Sequence, residues 1–243
     1  MKKLLLVSSA LAAFGGQGLA ADLPVRMPVK VPVIASVPAF NWTGCYIGAH
    51  VGGGWGRKDF SDPTGLNFAP AGAVIEVDTR GALAGGQIGC NYQFATNWVL
   101  GIDADLSWTN SEGETRDPFF ANKNIVARTE WLATATGQLG YTWERWMLYG
   151  KGGAAWARDQ YHTTNPALYD FAGTEVRAGW VVGVGLEWAL WHRWTAKLEF
   201  DHYDFGSRTV TLTDRNLGSQ PADIEQRVEA VKFGLNYRFG LVQ

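Results

Sequence analysis

From Val231 to Phe239 apolar and polar positions alternate without a break. Val231, Phe233, Leu235, Tyr237 and Phe239 share one face, and Lys232, Gly234, Asn236 and Arg238 the other. A period of two predicts a strand with two unlike faces. Eight segments of this kind follow one another: Trp42–Gly56, Gly81–Phe94, Trp98–Thr109, Val126–Trp143, Arg145–Arg158, Glu175–Leu190, His192–Phe205 and Ile224–Phe239. The joins alternate in length. Ala95-Thr96-Asn97, Glu144 and Trp191 make tight turns; the stretches near Arg57–Arg80, Asn110–Ile125, Asp159–Thr174 and Gly206–Asp223 are long and rich in Asp, Asn, Thr, Gly and Pro. Short turns at one end and long loops at the other predict an all-β fold. The expected architecture is an eight-stranded antiparallel transmembrane β-barrel of the outer-membrane type, with periplasmic turns and four extracellular loops.

Tryptophan spacing agrees. Trp98 and Trp108, Trp131 and Trp143, Trp146 and Trp156, and Trp180 and Trp188 are pairs at even separation, so both rings of a pair share a strand face. About ten residues at roughly 3.3 Å each, tilted roughly 45°, rise about 23 Å. That matches an apolar band roughly 25 Å tall between two aromatic girdles. The same parity carries Leu100, Ile102, Ala104 and Leu106, and Val182, Val184 and Leu186.

The opposite parity holds charges: Asp103, Asp105, Arg128, Glu130, Lys151, Arg177, Glu187, Lys197, Glu199, Asp201, Lys232 and Arg238, six acids against six bases. Tyr46, His50, Gln87, Asn91 and Gln138 add neutral polar groups. An eight-stranded barrel is just wide enough inside for side chains to fill it. Charges taken out of water must pair or cost several kcal/mol each. The expectation is a balanced charge network that rigidifies the barrel; a narrow water-filled path is the alternative.

The N-terminus changes the picture of compartment. Met1-Lys2-Lys3 is basic, Leu4–Phe14 apolar, and Gly18-Leu19-Ala20 a small-x-small signal. Residues 1–20 therefore read as a secretory leader cleaved after Ala20 or Ala21. Residues 21–40 carry Pro24, Pro28, Pro32 and Pro38 and read as an extended periplasmic lead-in. The barrel is expected over 41–239, with 240–243 a short C-terminal extension. No apolar run after the leader reaches the roughly 18 residues of a membrane helix, so any crossing is by closed strands. The formal net charge is −2; without Lys2 and Lys3 it becomes 19 − 23 = −4, which argues against a nucleic-acid binder needing a basic stripe. Export to an oxidising compartment makes Cys45 and Cys90 candidates for a cross-strand disulfide. The bond requires Cβ atoms within roughly 3.5–4.5 Å; otherwise they are small lipid-facing hydrophobes.

Phe40-Asn41-Trp42-Thr43-Gly44-Cys45-Tyr46-Ile47-Gly48, Gly85-Gly86-Gln87-Ile88-Gly89-Cys90-Asn91-Tyr92-Gln93 and Leu235-Asn236-Tyr237-Arg238-Phe239 resemble motifs of the RopB-type family. These are the major 25/31-kDa outer-membrane proteins of alphaproteobacteria, within the small OmpA-like barrels. The resemblance spans about Phe40 to Phe239. It implies an outer-membrane barrel acting in envelope integrity, with porin-like activity in some relatives, and brings no catalytic residues. Family members usually end on an aromatic residue read by the outer-membrane assembly machinery, whereas Gly240-Leu241-Val242-Gln243 follow Phe239 here.

Other chemistry finds little purchase. His50, His162, His192 and His202 have no zinc-ligand spacing. No serine elbow accompanies His202, Asp201 and Asp204. Gly183-Val184-Gly185 lacks the rest of a nucleotide fingerprint. No catalytic residue, metal or cofactor is expected. The charges Arg57, Lys58, Asp59, Asp62, Glu112, Glu114, Arg116, Asp214 and Arg215 read as a solvated rim. Its functional version is contact with lipopolysaccharide, through bases to phosphate or acids to bridging cations. Expected partners are outer-membrane lipids, lipopolysaccharide and the assembly machinery. A porin-like channel is the alternative function, and a lipid-active enzyme a more distant one.

Overall fold

The computed structural model describes residues 40–61, 73–116, 124–165, 169–214 and 218–239. Eight strands form in chain order: β1 (Gly44–Ser61), β2 (Val74–Gln93), β3 (Trp98–Arg116), β4 (Asn124–Trp143), β5 (Trp146–Asn165), β6 (Tyr169–Trp191), β7 (Trp194–Asp214) and β8 (Gly218–Phe239). Each pairs antiparallel with its successor, and β1 pairs with β8 to close the barrel. Closure leaves no open edge, the condition for strands to sit in hydrocarbon. Among the described residues no helix is long and apolar enough to cross a membrane.

The inside–outside alternation follows the sequence. On β8 Lys232, Asn236 and Arg238 are buried, while Val231, Phe233, Leu235, Tyr237 and Phe239 are exposed. The same holds on β7, where Lys197, Glu199 and Asp201 are buried between exposed Leu198 and Phe200. An outward wall of exposed Leu, Ile, Val, Phe and Trp is what a bilayer requires and water would reject.

The strands are longer than the joins suggest. β2 has 20 residues; at roughly 3.3 Å each and a tilt of roughly 45° it rises about 47 Å, nearly twice the apolar band. Much of what reads as loop, Asp159–Asn165 and Tyr169–Thr174 among it, continues the sheet beyond the aromatic belt. The physical reason is that alternation persists there: Phe60, Ile75, Val77, Tyr161, Val210 and Ile224 all turn inward and pack together.

At the opposite end the joins are short, and in two of them Glu144 (φ 53°) and His192 (φ 48°) occupy the left-handed region. Main-chain bonds from the turns knit neighbouring strands: Thr142 N–H donates to Asn97 O (2.7 Å), Ala189 N–H to Arg145 O (2.8 Å) and Arg238 N–H to Arg193 O (2.8 Å). The leader 1–20, the lead-in up to Ala39 and the tail 240–243 lie outside the described residues.

Cys45 and Cys90 are direct register partners on β1 and β2 and are joined by a disulfide, their Cα atoms 3.9 Å apart. The bridge staples the first hairpin across a sequence separation of 45, a loop whose closure stabilises by about 4 kcal/mol on chain-entropy grounds. Unreduced, heat-denatured protein is expected to migrate faster on a gel than reduced protein. Cys45→Ser with Cys90→Ser should erase the difference, and equal mobility of the wild type in both states would rule the bridge out.

Candidate functional site

The most elaborated chemistry lies inside the barrel, in layers. At the turn end Trp42, Val99, Met147, Tyr149 and Ala189 form an apolar floor. Arg238 lies over the rings of Trp42 (5.2 Å) and Tyr46 (5.4 Å), donates to Trp42 O (2.5 Å) and reaches Glu187 Oε1 (3.4 Å). Glu187 also accepts from Asn236 Nδ2 (3.1 Å) and from the Thr195 hydroxyl. Tyr46 donates to Asp103 Oδ2 at 2.7 Å. Tyr46 has room because Gly89 lies across the hairpin; a Cβ there would come within 2.5 Å of the Tyr46 ring.

Above this floor sits a hub of three lysines and three carboxylates. Lys232 Nζ bridges Asp105 Oδ1 (2.9 Å) and Asp201 Oδ2 (3.0 Å). Lys151 Nζ bridges Glu199 Oε1 (2.5 Å) and Asp201 Oδ1 (3.1 Å), with Asp105 Oδ2 at 4.0 Å. Lys197 holds Glu199 Oε2 at 3.3 Å, and Tyr149 donates to the same oxygen at 2.7 Å. Thr134 donates to Asp105, and Tyr203 to Asp201 Oδ2 at 3.1 Å. His50 joins the hub through Ser107 Oγ (2.7 Å), which reaches Asp105 at 3.3 Å, while Gln87 links His50 to Asn236. With Glu187 from β6, every strand contributes to one hydrogen-bonded network.

A second apolar layer follows: Leu83, Leu132, Ala155, Ala157, Val181, Tyr203, Phe205, Val228 and Ala230. Beyond it a smaller polar cluster is centred on Asp159. Asp159 Oδ1 receives Lys58 Nζ (2.7 Å), the Thr129 hydroxyl (2.6 Å) and Gln226 Nε2 (3.3 Å). Arg177 donates to Ile224 O (2.8 Å) and, like Lys58, lies over the Tyr161 ring. The cluster around Phe60, Ile75 and Ile224 packs over it.

Ten of the twelve charges expected inside are buried there: Asp103, Asp105, Lys151, Arg177, Glu187, Lys197, Glu199, Asp201, Lys232 and Arg238. Two are not, and this corrects the sequence reading. Arg128 is exposed and pairs outside with Glu112 at 3.3 Å; Glu130 is part-exposed and binds Arg158 (3.0 Å) and Gln160 (2.6 Å). The register slips between Thr129 and Trp131, and the extra residue of this bulge reverses the parity of β4 above it. Thr134 and Thr136 face in below the bulge, Ala127 and Thr129 above it. Lys58 and Asp159, which by composition belong to a rim and a loop, are fully buried. Their signal was present in the continued alternation with Gly56 and Phe60, and with Ala157 and Tyr161.

The eight tryptophans paired by spacing lie on the outward side: Trp98, Trp108, Trp143, Trp156, Trp180 and Trp188 exposed, Trp131 and Trp146 half-buried. Trp146 stacks on Trp188 (5.1 Å), and Trp98 meets Tyr141 edge-on (5.3 Å). Just beyond the other ring, ion pairs face outward: Arg57 with Asp78 (3.6 Å), Arg128 with Glu112, Arg158 with Glu130, and Arg227 with Asp204 (3.7 Å). Among the described residues no group of His, Cys, Asp and Glu is arranged to hold a metal ion.

A closed barrel with a lipid-compatible wall and an ionised, side-chain-filled interior defines the class of outer-membrane β-barrel proteins. The chain belongs to the family described as outer membrane protein beta-barrel domain, which it matches over residues 31–239, and within it to the 25/31-kDa outer-membrane immunogenic proteins. It is 32% identical to the 31 kDa outer-membrane immunogenic protein of Brucella melitensis biotype 1, over 98% of this chain and all of that one. It is 24% identical to the 25 kDa outer-membrane immunogenic protein of Brucella abortus biovar 1, over 98% and 99% of the two chains. Among solved structures, the outer membrane protease OmpT of Escherichia coli superposes with a TM-score of 0.52 at 11% identity, covering 84% of this chain and 99% of that one. That likeness is one of fold alone.

Proposed function

We propose that this protein is a non-conducting structural barrel that stiffens the outer membrane and contributes to envelope integrity. The observation that carries this reading is the layering of the lumen, with three apolar strata separating two ionised ones. An ion crossing would shed its water at each apolar stratum and displace bonded lysines and carboxylates at each polar one, and desolvating a charge costs several kcal/mol. The hub ties β3, β5, β7 and β8 directly by ion pairs, which resists shear between strands.

In the same reading residues 1–20 direct export and are removed, 21–40 lead from the periplasm, and the assembly machinery inserts the barrel. The two tryptophan belts sit at the membrane interfaces, and the outward ion pairs beyond Trp108, Trp156 and Trp180 meet lipopolysaccharide. The leader's composition and the outward rings support this. Planar-bilayer recording of the purified protein tests it: no resolved single-channel steps are expected, and reproducible steps from the wild type would overturn the structural role in favour of a channel. A deletion strain should show increased sensitivity to detergent, restored by the wild-type gene.

A further inference from the structure

On the outer wall, β1 and β2 carry small side chains where their neighbours carry large ones. Gly53 is the register partner of Ala82, Val51 of Ala84, and Ala49 of Gly86. A Cβ added at Gly53 would meet nothing closer than 3.9 Å, so the position opens outward. β8 walls one side with Val231 and Phe233, and β3 the other with Leu106 and Trp108. The result is a cleft of about 680 Å³ between Val51, Gly53, Trp55, Arg80, Val231 and Phe233. A second cleft of about 380 Å³ lies along Gly86, Ile88, Ala104 and Leu106, nearer the middle of the wall.

The end of this groove carries a guanidinium, that of Arg80. Arg80 is exposed and is the register partner of Trp55 on one side and Glu112 on the other. Glu112 pairs with Arg128 at 3.3 Å, and Arg80 makes no ion pair among the described residues. Beside it Arg57 and Arg227 are direct partners across the β1–β8 closure, a like-charge pairing that is unfavourable in a sheet. Arg57 is answered by Asp78 (3.6 Å) and Glu76 (3.8 Å), Arg227 by Glu225 and Asp204 (3.7 Å), all long or exposed contacts. An exposed guanidinium that makes no ion pair, with a second one near it held only by long contacts, can receive a phosphate.

From these observations we infer that the groove under Arg80 is a docking site for a phosphorylated glycolipid of the outer leaflet, its acyl chain along Gly53, Ala84 and Gly86 and its phosphate on Arg80 and Arg57. The inference rests on the reading that this level of the wall meets lipopolysaccharide. An amphiphile fits because the groove runs with the strands, is apolar along its length and is charged only at the level of Trp55 and Trp108.

The test is native mass spectrometry of the detergent-released barrel with bis-phosphorylated lipid A as probe. Dephosphorylated lipid A and inorganic phosphate are the comparison ligands, and heat-modifiability confirms that each variant is folded. One lipid A per barrel is expected, with binding reduced about tenfold in Arg80→Ala and in Gly53→Phe, which fills the groove. Arg193→Ala, exposed in a short turn at the opposite end of the barrel, should bind as the wild type does. Equal binding of the dephosphorylated lipid, unchanged binding in both groove variants, phosphate binding without lipid, or barrel dimers in place of the lipid adduct would each overturn the assignment. None of these outcomes bears on the absence of conductance, so failure here is separable from failure of the structural role.

Discussion

Replacing Lys232 with Met is expected to destabilise the barrel by about 3–5 kcal/mol, the range for removing one partner of a buried ion pair. Lys232 is 1% exposed and holds Asp105 and Asp201 at 2.9 and 3.0 Å. Met preserves most of the volume, so the loss is electrostatic. Two carboxylates would remain in the lumen with Lys151 to serve them, and Lys151 already binds Glu199. Adding Asp201→Asn to Lys232→Met removes one of the stranded charges and should recover a large part of the loss. Arg158→Met breaks an exposed outer pair instead and should shift stability by about 1 kcal/mol or less. The measurement is the urea midpoint for loss of the heat-modifiable form in detergent. A Lys232→Met midpoint matching that of Arg158→Met would mean that the hub does not brace the barrel.

This contrast shows which parts of the molecule a sequence can reveal. On β7 and β8 the parity of Lys197, Glu199, Asp201, Lys232 and Arg238 reads straight through to the buried hub, because the pairing of these two strands runs without a slip from Trp194 to Asp204. A regular strand carries its sidedness in every second residue. On β4 one bulged position moves Arg128 and Glu130 to the outside, and nothing in their spacing announces it. β7 has its own irregularity between Asp204 and Ser207, where Gly206 takes a positive φ of 62°, the glycine that such a bulge favours. The strand ends are hidden in the sequence for a different reason. Asp, Thr and Asn around Asp159 resemble a loop in composition, yet Asp159 and Lys58 satisfy each other inside the barrel. Pairing across a sequence separation of 101 is invisible to any local window.

The lipid-facing wall supplies the complementary prediction. Leu198 is outward and exposed, flanked across the sheet by Leu186 and Phe233, whereas its neighbour Lys197 points into the hub. Leu198→Arg puts a guanidinium among hydrocarbon tails near the middle of the band and is expected to cost about 2–4 kcal/mol. Lys197→Ala deletes a charge inside, but Glu199 keeps Lys151 and Tyr149 as partners, so the expected loss is smaller. Folding yields into lipid vesicles, read by the heat-modifiable gel shift, should therefore fall far more for Leu198→Arg. In thin, short-chain vesicles the gap should narrow, because the arginine can reach the headgroups by snorkelling. Equal yields in thick bilayers would place the two side chains in equivalent surroundings, which a barrel with lipid outside and ion pairs within does not permit.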